Sequence, residues 1–188
     1  TCRRRSLDTC PPNRGGAGPR PDLSSGGVIR YRGLVPNQIE DGIEVEGLLN
    51  LRDLGGLPIE SGGTTRQRRL LRSDSPHRLT DAGRRGLIDL GVSTVVDLRT
   101  ANGRERHPSL LVEVEGMSCV HAPLFGDEEH LHHEHLTTAQ DVYTWWLRER
   151  SHGVAAALRA VADAEAAPIL IHCHAGKDRT GLVAALLL

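Results

Sequence analysis

Apolar residues in this chain fall into short runs separated by polar, glycine-rich breaks. Val28–Tyr31 and Ile43–Glu46 alternate apolar and polar positions, which predicts half-exposed strands. Gly62-Gly63 predicts a hairpin-like turn, and Arg69–Asp74 a strand running into a loop. Val92–Arg99 is the clearest buried strand, and Cys119–Leu124 and Ile169–Ile171 predict two more. Helical patterns lie between them. Thr80 to Gly91 reads as a helix with Thr80 as N-cap, apolar positions at Leu87 and Leu90, and Gly91 as the stop. Thr138–Arg150 carries Tyr143, Trp145 and Trp146, and the Ala-rich run His152–Ala166 carries Val154, Leu158 and Val161. A final helix begins near Arg179. This alternation predicts an α/β domain with a mainly parallel central sheet flanked by helices, its loops gathered along one edge.

Residues 1–27 are rich in Arg, Pro, Gly and Ser, so a disordered or loose arm is expected before a single domain over 28–188. The last helix reaches Leu188 uncapped and apolar after only about 15 Å. The expectation is a domain that is incomplete at its C-terminus.

Composition narrows the function. The formal net charge is −1, so no global field recruits nucleic acid or membrane. At 3% aromatic residues, platforms for stacking bases are few. Cys2, Cys10, Cys119 and Cys173 show neither zinc-ligand pairing nor a disulfide framework, and Cys2 and Cys10 are expected to be free. No run is long enough to span a membrane and no signal peptide opens the chain. A cytoplasmic protein without integral membrane contact is expected, with export by another route left open and no indication of oligomeric state.

The chemistry concentrates in Pro168-Ile-Leu-Ile-His-Cys-His-Ala-Gly-Lys-Asp-Arg-Thr-Gly181. A buried strand, a tight loop and a helix start follow one another. Backbone N–H groups at such a helix start converge on an anion, and the helix dipole favours negative charge there. His174, Ala175, Gly176, Lys177, Asp178 and Arg179 are the expected phosphate-binding residues, with Arg179 gripping two oxygens at once. The same field favours a thiolate at Cys173, the expected nucleophile. Gly176 permits a backbone shape that a Cβ resists. His172 orients the loop, and the Thr180 hydroxyl eases departure of the thiolate. Lys177 is the only lysine in the chain.

The His-Cys-x5-Arg loop, and above all Gly-Lys-Asp-Arg-Thr-Gly, resembles the phosphate loop of the bacterial tyrosine-protein phosphatase family with a Lys-Asp pair, which includes mycobacterial protein tyrosine phosphatase B and its relatives. Asn50-Leu-Arg-Asp-Leu-Gly-Gly56, Leu71-Arg-Ser and Asp97-Leu-Arg99 are similar to further segments of that family. The resemblance implies a metal-independent phosphatase that needs no cofactor. It would act on phosphotyrosine protein, on phosphoserine or phosphothreonine, or on a phosphoinositide, through a cysteinyl-phosphate intermediate. Arg52 and Asp53 read either as a turn bracing the loop or as substrate contacts. Asp97 and Arg99 read either as a buried ion pair or as polar groups at the site. Glu105 is the nearest match to a glutamate that the family places after Asp-Leu-Arg.

Breaking a phosphate monoester also calls for a proton on the leaving oxygen. Asp127, after the Cys119–Leu124 strand, is placed ahead of Asp178, within the loop. His130-Leu-His-His-Glu-His135 resembles a metal motif of metallo-hydrolases, but a polar lid is the preferred reading. Two rival functions remain: a catalytically silent phosphate- or phosphoinositide-binding module and, third, a metallo-hydrolase using that histidine cluster.

Overall fold

The computed structural model describes residues 43–127, 138–164 and 168–188. The Val28–Tyr31 strand, the N-terminal arm, Cys2, Cys10 and the His130–His135 cluster lie outside these residues. The sheet has five strands: β1 (Arg52–Asp53), β2 (Leu70–Ser73), β3 (Thr94–Asp97), β4 (Ser118–His121) and β5 (Ile169–His172). Their spatial order is β1-β2-β5-β3-β4, with β1 antiparallel and the other pairings parallel. The last strand in sequence is therefore the central one. Its register puts His172 opposite Ser73 on one side and Asp97 on the other, and Asp97 opposite His121. The carboxyl ends of four parallel strands thus form one row, where ligands bind in open parallel sheets.

Alternation along each strand builds two cores. Val96, Ile169 and Ile171 pack with Trp146 of α3 (Ala139–Glu149), Val154 and Ala157 of α4 (Ser151–Ala162), and Val183 and Ala184 of α5 (Asp178–Leu187). Leu71, Val95 and Leu170 face the other way, onto Leu87 of α1 (Asp81–Asp89) and onto Val45, Leu48, Leu51 and Leu111. Burying each such side chain contributes roughly 1.5–3 kcal/mol. With both faces covered, a central strand is apolar throughout, as Ile169-Leu170-Ile171 is.

The Thr80 hydroxyl accepts from the Gly83 amide and caps α1, and Thr138 forms a reciprocal capping box with Asp141 at α3. Gly91 is left-handed at φ 80° and ends the α1 segment.

The expected strand at Ile43–Glu46 is not formed. Val45 is buried in the second core, and the Glu46 carbonyl lies so close to α1 that a Cβ on Gly83 would sit 1.9 Å from it. The segment crosses a helix, where the alternating pattern meets no strand edge to pair with. Conversely, α2 (Ala101–Arg106) was not expected from the pattern. It buries no residue and carries no apolar stripe. It forms because Thr100 caps it at the Gly103 amide and Asp127, distant in sequence, accepts from the Asn102 amide.

Candidate active site

The Cys173–Arg179 loop springs from the end of β5 and enters α5 at Asp178. Cys173 is 3% exposed, whereas His174, Ala175, Lys177 and Asp178 are exposed and Arg179 is half-buried. Cys173 sits at the bottom of a rim of exposed loop residues. Gly176 is left-handed at φ 68°, and a Cβ there would lie 2.3 Å from the Ser73 carbonyl oxygen. Only glycine allows the loop to lie against the end of β2.

The bracing comes largely from residues not singled out in the sequence. Arg72 on β2 donates to the carbonyls of Gly176 (2.5 Å) and Lys177 (3.3 Å). Asn50, left-handed at φ 59°, donates its side-chain amide to the Gly176 carbonyl at 3.3 Å. The Ser75 amide donates to the His174 carbonyl at 3.0 Å. These donors occupy the carbonyls of His174, Gly176 and Lys177 and so brace the loop. Asn50 and Arg72 lie within Asn50–Gly56 and Leu71-Arg-Ser, so the signal was present, but it pointed to neighbouring residues. Asp53 accepts instead from the amides of Gly55 and Arg68, fastening its own turn. Arg52 pairs in register with Arg72 across the first two strands.

Beneath the loop lies a buried polar layer. Arg99 is 1% exposed and grips Asp97 side-on, Nε to Oδ1 at 2.9 Å and Nη2 to Oδ2 at 2.7 Å. Its Nη1 donates to Ser75 Oγ at 2.7 Å and to the His107 carbonyl at 2.6 Å. Burial works to raise the Asp97 carboxyl, but the Arg99 hydrogen bonds and the charges of His172 and Arg99 outweigh it and hold Asp97 below the usual carboxylate range. His172 is fully buried and donates Nδ1–H to the Cys173 carbonyl at 3.1 Å. Its Nε2 faces Asp97 Oδ2 at 3.8 Å. Burial lowers the imidazole pKa to about 4 despite that carboxylate, so the ring is neutral near pH 7. Desolvation prevails because Asp97 is already bound by Arg99.

Helix α3 supports the loop from the other side. The Tyr143 hydroxyl donates to Asp178 Oδ1 at 2.6 Å, which raises the phenol pKa. The Arg179 guanidinium lies 5.5 Å from the Phe125 ring centroid, and Phe125 leans on Trp146 at 5.5 Å. Arg179 Nη1 also reaches the Leu98 carbonyl at 3.5 Å. The Thr180 hydroxyl is buried and, among the described residues, has no hydrogen-bond partner. Asp127, by contrast, serves as an anion at α2. The Thr100 hydroxyl, then the Asn102 amide, lower its pKa. Glu105 is exposed on α2.

Comparison with known proteins bears on the same residues. A model of the "Tyrosine phosphatase family" matches residues 43–188. A tyrosine-protein phosphatase of Nostoc commune is 36% identical over 115 residues, covering 59% of this chain and 39% of the relative. The triple specificity protein phosphatase PtpB of Mycobacterium tuberculosis is 31% identical over 179 residues, covering 77% of this chain and 62% of the relative. This chain therefore spans less than two thirds of each relative's length. The solved structure of TpbA from P. aeruginosa is similar at a TM-score of 0.34 and 22% identity, over 63% of this chain and 56% of that one.

Proposed function

We propose that this chain, which belongs to the tyrosine phosphatase family, hydrolyses phosphate monoesters on proteins through a cysteinyl-phosphate intermediate. The observation that carries this reading is the loop: a buried cysteine at the carboxyl end of the central strand, a glycine at φ 68° turning the backbone, and an arginine in the first turn of the next helix. The loop N–H groups and the Arg179 guanidinium hold the non-bridging phosphoryl oxygens. They act most strongly as charge spreads over those oxygens in the transition state.

In the first step the Cys173 thiolate forms an S–P bond as the P–O bond to the substrate breaks, and the leaving oxygen takes a proton from a carboxylic acid. In the second, water attacks phosphorus and returns a proton to that carboxylate, and the S–P bond breaks. The Thr180 hydroxyl, buried and free to turn, donates to the departing sulfur. The sequence order placed Asp127 first as the acid. Asp127 accepts from the Asn102 amide at the start of α2, and we assign the proton to Asp178, which lies in the loop itself. Asp127 then fixes α2 beside the site.

Phosphotyrosine is the proposed substrate. PtpB is named for triple specificity, and phosphoserine, phosphothreonine and phosphoinositide are carried as competing substrates. Among the described residues no helix is long and apolar enough to cross a membrane.

Turnover of p-nitrophenyl phosphate tests the reaction. Wild-type activity that persists in EDTA and vanishes in Cys173→Ser is expected. Activity surviving Cys173→Ser overturns the thiolate route, EDTA-sensitive activity supports the metallo-hydrolase, and binding of phosphate esters without turnover supports the silent module. Phosphotyrosine, phosphoserine and inositol phosphate substrates, compared by kcat/KM, rank the substrate classes.

A further inference from the structure

Three imidazoles from separate parts of the chain meet at the rim of the phosphate loop. His174 follows the nucleophile, His77 belongs to a 3-10 turn (Pro76–Arg78) after β2, and His107 ends α2. Ring centroids are 4.7 Å apart for His77–His107, 5.3 Å for His107–His174 and 6.1 Å for His77–His174, the last pair stacked at 16°. Such crowding of groups that can each carry a positive charge is not a packing requirement, because His107 and His174 are exposed and His77 is half-buried.

The trio hangs from one buried node. Ser75 is 0% exposed and Arg99 is 1% exposed. The Ser75 amide donates to the His174 carbonyl, and the Ser75 carbonyl accepts from His77 Nδ1 at 3.1 Å. Arg99 joins Ser75 Oγ to the His107 carbonyl. The rings are thus placed by the same ion pair that underlies the catalytic loop. Since the Ser75 carbonyl can only accept, His77 carries its proton on Nδ1 and leaves Nε2 for another partner.

The surroundings are one-sided in charge. Burial, then His107, His77, Arg179 and Arg99, all push the His174 imidazole below its usual pKa, and no carboxylate is among these influences. Of the neighbouring carboxylates, Glu105 is exposed on α2 and Asp178 accepts from Tyr143. Asp74 accepts from the Leu49 amide and Arg78, and Asp97 from Arg99, with Arg104 at 3.5 Å. Among the described residues no three ligating side chains converge as a metal would require. The trio presents ring N–H donors at the loop rim, and an anion would accept from them and favour their protonation.

We propose that His77, His107 and His174 form an accessory anion site, contiguous with the phosphate loop, that takes an acidic group close in sequence to the phosphotyrosine of a peptide substrate and takes up protons as it does so. This rests on the loop being the phosphate site. A peptide is favoured over a lipid headgroup in a bilayer because a formal charge of −1 gives the chain no global attraction to an anionic membrane. Proton uptake and anion binding are linked, so each strengthens the other.

The test is binding of labelled peptides to Cys173→Ser protein, which retains the loop without turnover. One peptide carries glutamate one or two residues from phosphotyrosine, and its control carries glutamine there. Titration of the phosphotyrosine itself cancels in the ratio. The glutamate peptide is expected to bind about fivefold tighter at about pH 6 and nearly equally at about pH 8. His77→Gln with His107→Gln is expected to abolish the preference and leave the control's affinity intact. A preference that is absent, independent of pH, or preserved in the double variant overturns the site. So does a histidine-dependent preference for soluble inositol bisphosphate over monophosphate without one between the peptides. Failure of both peptides to bind overturns the phosphate-loop reading and this inference with it.

Discussion

Arg99 holds Asp97 through two of its nitrogens and, with the third, reaches both Ser75 and the His107 backbone. Two residues apart at the end of a buried strand, they join β3, the segment after β2 and the end of α2 in one polar layer. Removing either partner leaves a buried charge unmatched. Arg99→Ala is expected to cost about 3–5 kcal/mol, read as the shift in urea midpoint at constant slope. Arg99→Lys keeps a charge but not the planar fork, and is expected to recover only part of that loss.

The Thr180 hydroxyl separates stability from catalysis. It is buried without a partner, so removing it relieves desolvation and breaks no bond. Thr180→Val is expected to leave the melting temperature unchanged or slightly raised, yet to slow breakdown of the cysteinyl-phosphate. Rapid mixing with p-nitrophenyl phosphate would then show a burst followed by a slower steady rate than wild type. A fall in stability equal to that of an ordinary core mutation would contradict the assignment.

Asp178 and Asp127 are distinguishable by their opposite consequences. Asp178→Asn is expected to lower turnover of a substrate with a poor leaving group by about 10²–10⁴-fold, and much less for a good leaving group. Asp127→Asn is expected to leave that turnover near wild type while modestly lowering the melting temperature, because it weakens the start of α2. The reverse pattern would return the proton to Asp127.

Gly176 tests the loop geometry. A Cβ would fall 2.3 Å from the Ser73 carbonyl, at a backbone φ of 68°. Gly176→Ala is expected to lose binding of inorganic phosphate and more than about 1 kcal/mol of stability. Calorimetry of phosphate binding, alongside thermal melting, checks both.

His172 sets a pH dependence of stability. Its pKa falls from 6.5 to about 4 on folding, so the unfolded chain binds more protons between those values. The stability it contributes is complete above about pH 6.5 and is lost as pH falls towards 4. The span of 6.5 − 4 = 2.5 units corresponds to about 3 kcal/mol. Urea unfolding across this range should show a slope that His172→Gln removes.

Elements whose causes are local were legible in the sequence. Apolar runs such as Ile169–Ile171, the cap at Thr80 and the spacing from Cys173 to Arg179 are readable because neighbouring residues produce them. Tertiary structure decided what depends on distant partners. It abolished a strand at Ile43–Glu46, where the backbone lies against α1, and it made α2 from a polar hexapeptide with Asp127 at its start. It also turned the Cys173–Arg179 motif from a phosphate nest into a braced one. The carbonyl of Gly176 is held by Asn50 and Arg72, and that of His174 by Ser75. Those contacts arise because the last strand inserts between two earlier ones, and no local pattern specifies the register in which His172 meets both Ser73 and Asp97.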